Sequence, residues 1–535
     1  MSRSRRTSIF LPLALGICSI LGGFLGPWLT GSAAAASDDE LRSGLRSLAR
    51  VLELVESNAA EKVDPDKLIY KGAIPGALRT LDPHSSFFDP RDFQLLREDQ
   101  NGRYFGVGMM VGMQNGKVTV MHPFSGAPAY KAGIRPGDAI VAVDDKPTEG
   151  LSLTEVVDKL KGPRATHVKI GILREGSEQT LQFDLVRDEI SRHSVKTAFL
   201  VRPKIGYVHI ESFNENTSRE LDQSLRKLND RELEGLILDM RSNPGGLLNE
   251  GVAVADRFLK RGQAIVSHRG RNSAEKPYLA TRAGTGRDYP VVVLVNRYSA
   301  SAAEIVAGAL QDHDRAWILG ENTFGKGLVQ SQFPLAENTA LLLTTAKYYT
   351  PSGRLIQRDY QNTSFLEYYS RKDTDISNPA DVKMTDSGRV VRGGGGITPD
   401  EKYSPPKLKK FESLLIGRNA FFQFTSNHFA NRDARLPRDW KPDAAILNEF
   451  RAFLRKKDIS FTEADFTDSQ KFIEQQLLVE MYTTAFSKED ADRLAIEIDP
   501  AVEHAIEALP KAKALVEKSR EMMVLRNTAS RAQNR

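Results

Sequence analysis

Apolar residues recur at spacings of three and four near the start of the chain, and this pattern predicts helices over residues 38–100. The first helix would collect on one face Leu41, Leu45, Leu48, Val51, Leu52 and Val55. A second, shorter helix is predicted over residues 73–81. It would end in Leu81-Asp-Pro-His-Ser-Ser-Phe-Phe-Asp-Pro90, because this segment contains two prolines and several turn-forming residues.

The pattern changes to short, β-branched runs over residues 103–188. Strands are predicted for Val118-Thr-Val120, Ala139-Ile-Val-Ala-Val143, Val168-Lys-Ile-Gly-Ile172 and Leu181-Gln-Phe-Asp-Leu-Val186. Asn115-Gly116 is typical of a tight hairpin turn, and residues 153–160 carry a short helical pattern. We therefore expect a compact module inserted into the chain.

Strands and helices alternate over residues 205–400, which predicts a layered α/β core. Gly235-Leu-Ile-Leu-Asp-Met240 and Val291-Val-Val-Leu-Val295 are nearly continuous apolar runs, as expected for strands buried on both faces. Residues 393–396 are four glycines and are predicted to be a flexible break. Residues 406–535 are helical in pattern and highly charged, and we expect a helical appendage that serves packing or self-association.

The composition is that of a globular chain of several domains. Its 535 residues predict about three or four domains. The formal net charge is +5, and Arg3, Arg5 and Arg6 contribute three of those charges. No nucleic-acid partner is expected, because the basic residues do not concentrate on a recognisable binding module.

Residues 1–36 predict an export signal or a membrane anchor. Three arginines precede an apolar run from Ile9 to Leu29, and small residues around Ala34 and Ala36 suit cleavage before an acidic segment. An uncleaved anchor is the alternative, since about 21 apolar residues are long enough to span a bilayer. Both place the rest of the chain in the periplasm. The single cysteine, Cys18, lies in this segment, so disulfides and cysteine-ligated zinc are not expected.

Ser301, Lys326 and Gln330 are the candidate catalytic residues. A serine hydroxyl becomes a good nucleophile when a base takes its proton. Lys326 can be that base only when its amine is neutral, which requires burial to lower its pKa from about 10.4. Glycines flank Lys326, and no acidic residue follows within four positions. Gln330, four residues later, would lie on the same face of a helix and hold the amine without adding charge.

The same region supplies candidate donors for an oxyanion hole. Ala302 begins a small-residue helix, so its amide would be free to bind a developing negative charge. A second donor is expected from Gly245 or Gly246 in Arg241-Ser-Asn-Pro-Gly-Gly246, which follows a buried strand. The carboxyl ends of parallel strands are where such sheets place ligands.

Simpler interpretations remain open for each residue taken alone. Ser301 and Glu304 have the spacing of a capping box, so the serine could merely cap its helix. Lys326 could belong to a phosphate-binding loop, although Gly327 replaces the hydroxyl residue of that motif. A triad through His313 is disfavoured, because this histidine follows at the far end of the Ser301 helix.

Three motifs in this order closely resemble the carboxyl-terminal processing peptidases, also called tail-specific serine proteases. They are Arg-Ser-Asn-Pro-Gly-Gly, Ser-Ala-Ser-Ala-Ala-Glu and Gly-Glu-Asn-Thr-Phe-Gly-Lys-Gly-Leu-Val-Gln. The resemblance implies a ClpP/crotonase-like α/β core with Ser301 as nucleophile, Lys326 as base and Gln330 as the third member. The resemblance also implies that catalysis needs no metal and no other cofactor. The family often has serine where this chain has Ala303, a change that does not touch the proposed chemistry.

Residues 104–108, Tyr-Phe-Gly-Val-Gly, and residues 132–140, Ala-Gly-Ile-Arg-Pro-Gly-Asp-Ala-Ile, resemble a PDZ domain. Such a domain adds a peptide strand to its sheet and holds the terminal carboxylate with backbone amides. The resemblance implies tail-binding roles for Phe105, Gly106, Val107, Gly108 and Met109, and an apolar pocket for the last side chain. The apolar members could instead be core residues of the module. In this family, tail binding is expected to align the protease site.

The sequence thus predicts a periplasmic serine endopeptidase that acts on proteins with apolar C-terminal tails. The expected divisions are 1–36, a helical segment over 37–102, the PDZ domain over 103–188, the protease core over 189–400 and a helical region over 401–535. A homo-oligomer through the helical ends, an adaptor protein and an inner-membrane tether are further expectations. The rival hypotheses are a non-catalytic PDZ scaffold and a crotonase-like ligand-binding or acyl-transfer enzyme.

Overall fold

The computed structural model describes residues 39–533 except 178, 282–286, 362, 371–379, 431 and 433. The predicted signal or anchor, with Cys18, lies outside the described residues. The fold class predicted from the sequence is confirmed: a mixed α/β core carries an inserted module of short strands and has helical segments at both ends.

The N-terminal segment joins the inserted module to the core. Helix α1 spans 39–58, and its predicted apolar face is largely exposed at Leu41, Leu45 and Leu48. The predicted break in the helical pattern at residues 81–90 contains a strand that was not predicted, β1 (Ser86–Phe88), which pairs with the core sheet. The other elements are a π-helical turn at Lys67–Ala73, α2 at Ile74–Arg79, β1 at Ser86–Phe88 and α3 at Pro90–Asn101.

The inserted module has its own sheet and apolar core, with strand order β3-β4-β5-β7-β8. Strands β2 and β9 pair as the ribbon by which the chain enters and leaves it. The predicted hairpin at Asn115-Gly116 is confirmed, with positive φ at both residues. The elements are β2 Arg103–Gly106, β3 Met109–Gln114, β4 Lys117–Pro123, α4 Pro128–Lys131, β5 Ala139–Val143, β6 Lys146–Pro147, α5 Leu153–Leu160, β7 His167–Leu173, β8 Leu181–Val186 and β9 Asp188–Ser191.

Two sheets form the core. The first has the order β10-β11-β12-β15-β16-β21 and is parallel except for β10, whereas the second joins β1, β18, β13 and β14, with β17 beside β18. Both apolar runs singled out in the sequence form completely buried strands, β12 and β15. The strands of these sheets, besides β1, are β10 Val195–Arg202, β11 Ile205–Ile210, β12 Gly235–Asp239, β13 Ala264–Gly270, β14 Ser273–Leu279, β15 Val291–Val295, β16 Trp317–Gly320, β17 Leu328–Pro334, β18 Ala340–Tyr349 and β21 Glu401–Lys402. A separate two-stranded ribbon is formed by β19 Val382–Met384 and β20 Val390–Arg392.

Helices cover both faces of the parallel sheet. Residues of the helix that follows Ser301 pack on one face, and the start of the last helix, including Val502, Ala505 and Leu509, packs on the other. The core helices are α6 Thr217–Lys227, α7 Leu248–Asp256, α8 Ala302–Asp312 and α9 Phe365–Ser370. Short 3-10 turns lie at Asp230–Glu232 and Ala336–Asn338.

The C-terminal region forms a bundle with its own aromatic core, which includes Phe421, Phe424 and Phe450. Ser125 of the inserted module donates to Glu489, and Asn427 donates to Glu175, so the bundle also contacts that module. Its helices are α10 Lys410–Gly417, α11 Ala420–Phe429, α12 Ala444–Lys456, α13 Glu463–Asp468, α14 Gln470–Ala485, α15 Lys488–Glu497 and α16 Pro500–Gln533.

Candidate active site

Ser301 stands between the turn that leaves β15 and the first residue of α8. Its φ of 55° and ψ of −113° are sparsely populated for a residue with a side chain, and such conformations persist only where the surroundings impose them. Here the surroundings are a buried network: Ser299 donates its hydroxyl to the Met240 carbonyl, and the Ala300 amide donates to the Asn243 carbonyl. The strain presents the serine at the helix tip.

The capping interpretation of Ser301 holds only in half. The Ser301 amide donates to the Glu304 carboxylate at 2.8 Å. The Glu304 amide approaches the Ser301 side chain as in a capping box, but among the described residues no α8 amide makes a full hydrogen bond to the Ser301 hydroxyl. The hydroxyl is therefore not consumed by the helix end.

Glu304 is the residue whose importance the sequence reasoning missed. Its side chain is completely buried, and its carboxylate accepts four hydrogen bonds. The donors are the amides of Ser301 (2.8 Å), Gly325 (2.7 Å) and Lys326 (2.8 Å) and the hydroxyl of Thr323 (2.5 Å). One carboxylate oxygen binds both the Ser301 and the Lys326 amides, so Glu304 fastens the serine turn to the lysine loop. Burial raises its pKa, and these donors act in the opposite direction.

The loop of Lys326 is packed closely against the four-glycine segment. A side chain on Gly325 would come within 3.0 Å of the Gly396 amide nitrogen, and one on Gly327 within 2.8 Å of the Gln357 amide nitrogen. The prediction that residues 393–396 are a flexible break is wrong, because Gly394 and Gly396 donate to the carbonyls of Leu355 and Ile356. Glycines occur there because two backbones meet.

Burial lowers the pKa of the Lys326 amine from its usual 10.5, as a lysine base requires. The negative charges of Glu304 and Asp82 oppose that shift. Although no acid follows Lys326 within four residues in the sequence, the tertiary structure brings these two carboxylates close to it. The amine donates to Gln330 Oε1 at 2.8 Å.

Gln330 reaches the amine by a route different from the predicted one. Residues 328–334 form strand β17 and not a helix, so Lys326 and Gln330 do not share a helical face. Instead, the pairing of β17 with β18 is irregular between Val329 and Gln330, which is consistent with a bulge that redirects the side chain. The amide nitrogen of Gln330 donates to the His84 carbonyl at 2.5 Å.

Ser301, Lys326 and Gln330 line one cavity of about 620 Å³. Among the described residues, no hydrogen bond joins the serine hydroxyl to the lysine amine. The Ser301 hydroxyl instead lies near Tyr348, where it acts to lower the pKa of that phenol, and the Tyr348 hydroxyl donates to the Lys326 carbonyl. Burial holds the pKa of Tyr348 well above its usual value, so it stays a neutral donor. The three residues therefore share a site in which the proton-transfer contact is still to be made.

The three candidate oxyanion donors are placed differently. Gly245 and Gly246 line the cavity, but the Gly245 amide donates to the Asn243 side chain at 2.8 Å. Ala302 is completely buried under this turn, since a side chain on Gly245 would come within 2.9 Å of the Ala302 nitrogen. Only glycine fits at 245, where φ is 93°. Of the three, Gly246 alone combines a place on the cavity wall with an amide that is absent from the hydrogen bonds of the described loops.

The predicted tail-binding residues surround one end of β3 in the inserted module. Strand β3 pairs with β4 on one side only, and α5 packs beside it, which leaves an edge open to an added strand. Val107 and Met109 belong to the core of the module, whereas Phe105 on β2 is exposed. Gly106 and Gly108 are buried at the turn between β2 and β3.

His313 does not approach Ser301. It caps the opposite end of α8, where its ring bonds to Asp386 and to the Ala264 carbonyl, each at 2.7 Å. These contacts leave a histidine triad at Ser301 without geometric support.

Comparison with known proteins identifies relatives of most of the chain. Residues 204–362 match peptidase family S41, and residues 120–174 match the PDZ domain. The chain is 40% identical over 452 residues to the carboxy-terminal-processing protease of Bartonella bacilliformis, covering 82% of this chain and 94% of that protein. It is 32% identical over 394 residues to the carboxy-terminal processing protease CtpB of Bacillus subtilis, covering 71% and 81%. A solved photosystem II D1 C-terminal processing protease is 31% identical and covers 67% of this chain and 87% of its own, with a TM-score of 0.36.

Proposed function

Because the chain belongs to peptidase family S41, as a carboxyl-terminal processing protease of the serine type with a PDZ domain, we propose that it cuts proteins by a Ser301–Lys326 pair held by Gln330. One observation carries this proposal: a serine held in a strained conformation at a helix tip shares a cavity with a lysine whose pKa is lowered by burial. A neutral amine is the form that can accept a proton.

The chemistry follows from these positions. The Lys326 amine takes the Ser301 proton while the serine oxygen attacks the scissile carbonyl carbon. The resulting ammonium gives its proton to the departing amine, and an acyl-enzyme remains. Water, deprotonated by the same lysine, then releases the acid and returns the serine. Gln330 accepts one N–H of the amine throughout and keeps it oriented.

Catalysis requires two groups of the site to move. The serine hydroxyl must leave Tyr348 for the amine, and the 242–246 turn must uncover the Ala302 amide so that it can act with Gly246 as the oxyanion hole. We propose that tail binding to the PDZ domain favours this change. The open edge of β3 beside α5 supports binding of an extended tail there.

An apolar C-terminal tail is the proposed substrate feature. The module's apolar core reaches the carboxylate loop through Val107 and Met109, so a pocket formed there would be apolar. Phe105 and Gly106 end β2 and Gly108 lies just beyond it, so these three residues would frame the terminal carboxylate.

The proposed location of the protein is the periplasm. Residues 1–36 would direct it there as an export signal or hold it there as an inner-membrane tether. Among the helices of residues 39–533, none combines the length and the apolar character needed to cross a membrane.

The exposed apolar face of α1 supports self-association through the helical ends. An adaptor protein is a further proposed partner. Cell fractionation with N-terminal sequencing of the mature chain tests the proposed location, and a chain recovered only in the cytoplasm contradicts it.

The catalytic proposal is tested with Ser301→Ala and Lys326→Ala in the full chain. The substrate is an unfolded protein with an apolar tail, compared with the same protein ending in charged residues. We expect both variants to lose cleavage and the wild type to prefer the apolar tail. Cleavage by Ser301→Ala at the wild-type rate would assign the nucleophile elsewhere, and equal rates on both tails would contradict the tail-binding role.

A further inference from the structure

The segment from Asp82 to Ser85 lies at the active site although it precedes the PDZ domain in the chain. It forms a tight turn between α2 and β1, and Asp82, His84 and Ser85 are all buried. Strand β1 directly after it pairs with β18, so the turn is fixed to the sheet that carries Gln330 on β17.

Among the hydrogen bonds of the described residues, the one that joins the turn to Gln330 uses a main-chain oxygen. Gln330 donates its amide nitrogen to the His84 carbonyl at 2.5 Å, and its amide oxygen accepts from the Lys326 amine at 2.8 Å. A carbonyl can only accept, so the nitrogen end of the amide must face His84. The oxygen end must then face Lys326.

This orientation determines what the lysine can do. A neutral amine has two N–H groups and one lone pair. When Gln330 Oε1 accepts an N–H, the lone pair stays available for the serine proton. A flipped amide would present N–H groups to Lys326 and bind that lone pair, which would disable the base.

The turn is itself held rigidly. Asp82 accepts the amides of His84 and Ser85 at 2.8 Å each and the Ser85 hydroxyl at 2.7 Å. It also accepts from the hydroxyl of Thr344, which is the partner of Gln330 in the β17–β18 register. The carboxylate therefore ties the turn to the strand beside the glutamine.

The His84 ring anchors the other side of the turn. Its nitrogens lie 3.0 Å and 3.2 Å from the hydroxyls of Tyr368 and Tyr369, and its ring packs edge-on against that of Phe324 in the lysine loop. Burial lowers the pKa of His84 to about 3, and the Lys326 amine acts in the same direction whenever it is protonated. The histidine therefore stays neutral throughout the working pH range and serves as an anchor and not as an acid or base.

We propose that Asp82 and His84 are positioning residues of the catalytic site: they hold the His84 carbonyl where it orients the Gln330 amide, and thereby the lone pair of Lys326. This inference rests on the proposed function, since it assigns a role through Lys326 and Gln330. It makes the N-terminal segment a working part of the protease site.

The test compares His84→Ala, His84→Gln and Asp82→Asn in the full chain, with kcat, KM and the pH profile of kcat/KM measured on one tailed peptide. His84→Ala is expected to lower kcat about 10- to 100-fold with little change in KM, because misplaced catalytic groups lose rate and not affinity. The acid limb of the kcat/KM profile of His84→Ala is expected to move to higher pH, because water that reaches the Lys326 amine restores part of the ordinary pKa of that amine. His84→Gln, which can still bond to both tyrosine hydroxyls, recovers much of the loss.

Asp82→Asn keeps an acceptor oxygen for the turn but removes a charge that raises the Lys326 pKa, so its acid limb is expected to move to lower pH. If His84→Ala fails to fold, the kcat of Asp82→Asn decides the matter, because a weakened hold on the turn lowers kcat at every pH, whereas loss of the charge alone moves only the acid limb. Thr80→Ala, which removes an exposed hydrogen bond just before the turn, is the matched control and should keep the wild-type profile.

Ser301→Ala and Lys326→Ala belong in the same experiment. If both are inactive while folded His84→Ala and Asp82→Asn keep wild-type kcat and wild-type limbs, the positioning role is refuted and the proposed function stands. If Ser301→Ala or Lys326→Ala stays active, the proposed function itself fails. A loss of activity in His84→Ala without any displacement of the acid limb, and without recovery in His84→Gln, would reduce the turn to a structural part and overturn the inference.

Discussion

Replacing Gln330 with glutamate is the sharpest test of the lysine base. The substitution keeps the shape of the side chain but places a negative charge where Gln330 Oε1 now lies, 2.8 Å from the Lys326 amine. At that distance an effective dielectric constant of about 20 gives an attraction of roughly 6 kcal/mol, or about 4 pKa units. Burial of the new carboxylate and its repulsion from the His84 carbonyl offset part of this effect. We therefore expect the Lys326 pKa to rise by about two units or more.

The assay is kcat/KM on a tailed peptide as a function of pH. Below its pKa, each unit of increase reduces the neutral fraction of the amine tenfold, so Gln330→Glu should be about 100-fold slower at a fixed pH on the acid limb. Its activity should recover towards alkaline pH. Gln330→Leu, which lacks the charge, should lower the rate without this alkaline displacement. An unchanged acid limb in Gln330→Glu would show that Lys326 is not the group whose deprotonation limits the reaction.

Three further substitutions test the site and the PDZ domain. Lys326→Met should abolish cleavage yet raise the melting midpoint at pH 7. Because the pKa of Lys326 is lower in the folded than in the unfolded chain, where it is 10.5, the lysine destabilises the fold by about 1.4 kcal/mol for each pKa unit of difference, and this cost vanishes as the pH approaches 10.5. Equal midpoints for the variant and the wild type at pH 7 would contradict this. Glu304→Ala removes the acceptor of four hydrogen-bond donors, so the free energy of unfolding measured by urea titration should fall by about 4 kcal/mol or more, and by less in Glu304→Gln. A loss below about 1 kcal/mol in Glu304→Ala would refute this account of the network. Gly108→Ala places a methyl group 2.3 Å from the methyl group of Ala127, at a residue whose φ is 74°, so the affinity for a tail peptide should fall at least about tenfold. An unchanged affinity would place the carboxylate loop elsewhere.

Local patterns predicted much of the secondary structure. The apolar runs at residues 235–240 and 291–295 correspond to buried strands, because a strand covered on both faces needs apolar residues at every position. The small-residue run after Ser301 corresponds to α8, every residue of which is buried. Where the local pattern was ambiguous, at residues 326–330, the helical interpretation was wrong. A five-residue segment is compatible with either periodicity, and pairing with β18 decides between them.

The sequence alone determined which chemistry is available: a serine at a helix start, a lysine between glycines, a glutamine nearby and a peptide-binding module. Such assignments depend on residue types and short spacings, which a linear sequence displays. Only the tertiary structure decided how these groups are held. Glu304 joins the serine turn to a loop about twenty residues further along, and the carbonyl that orients Gln330 comes from a residue 246 positions earlier. Contacts between distant segments depend on how sheets and helices pack, and no local periodicity encodes them.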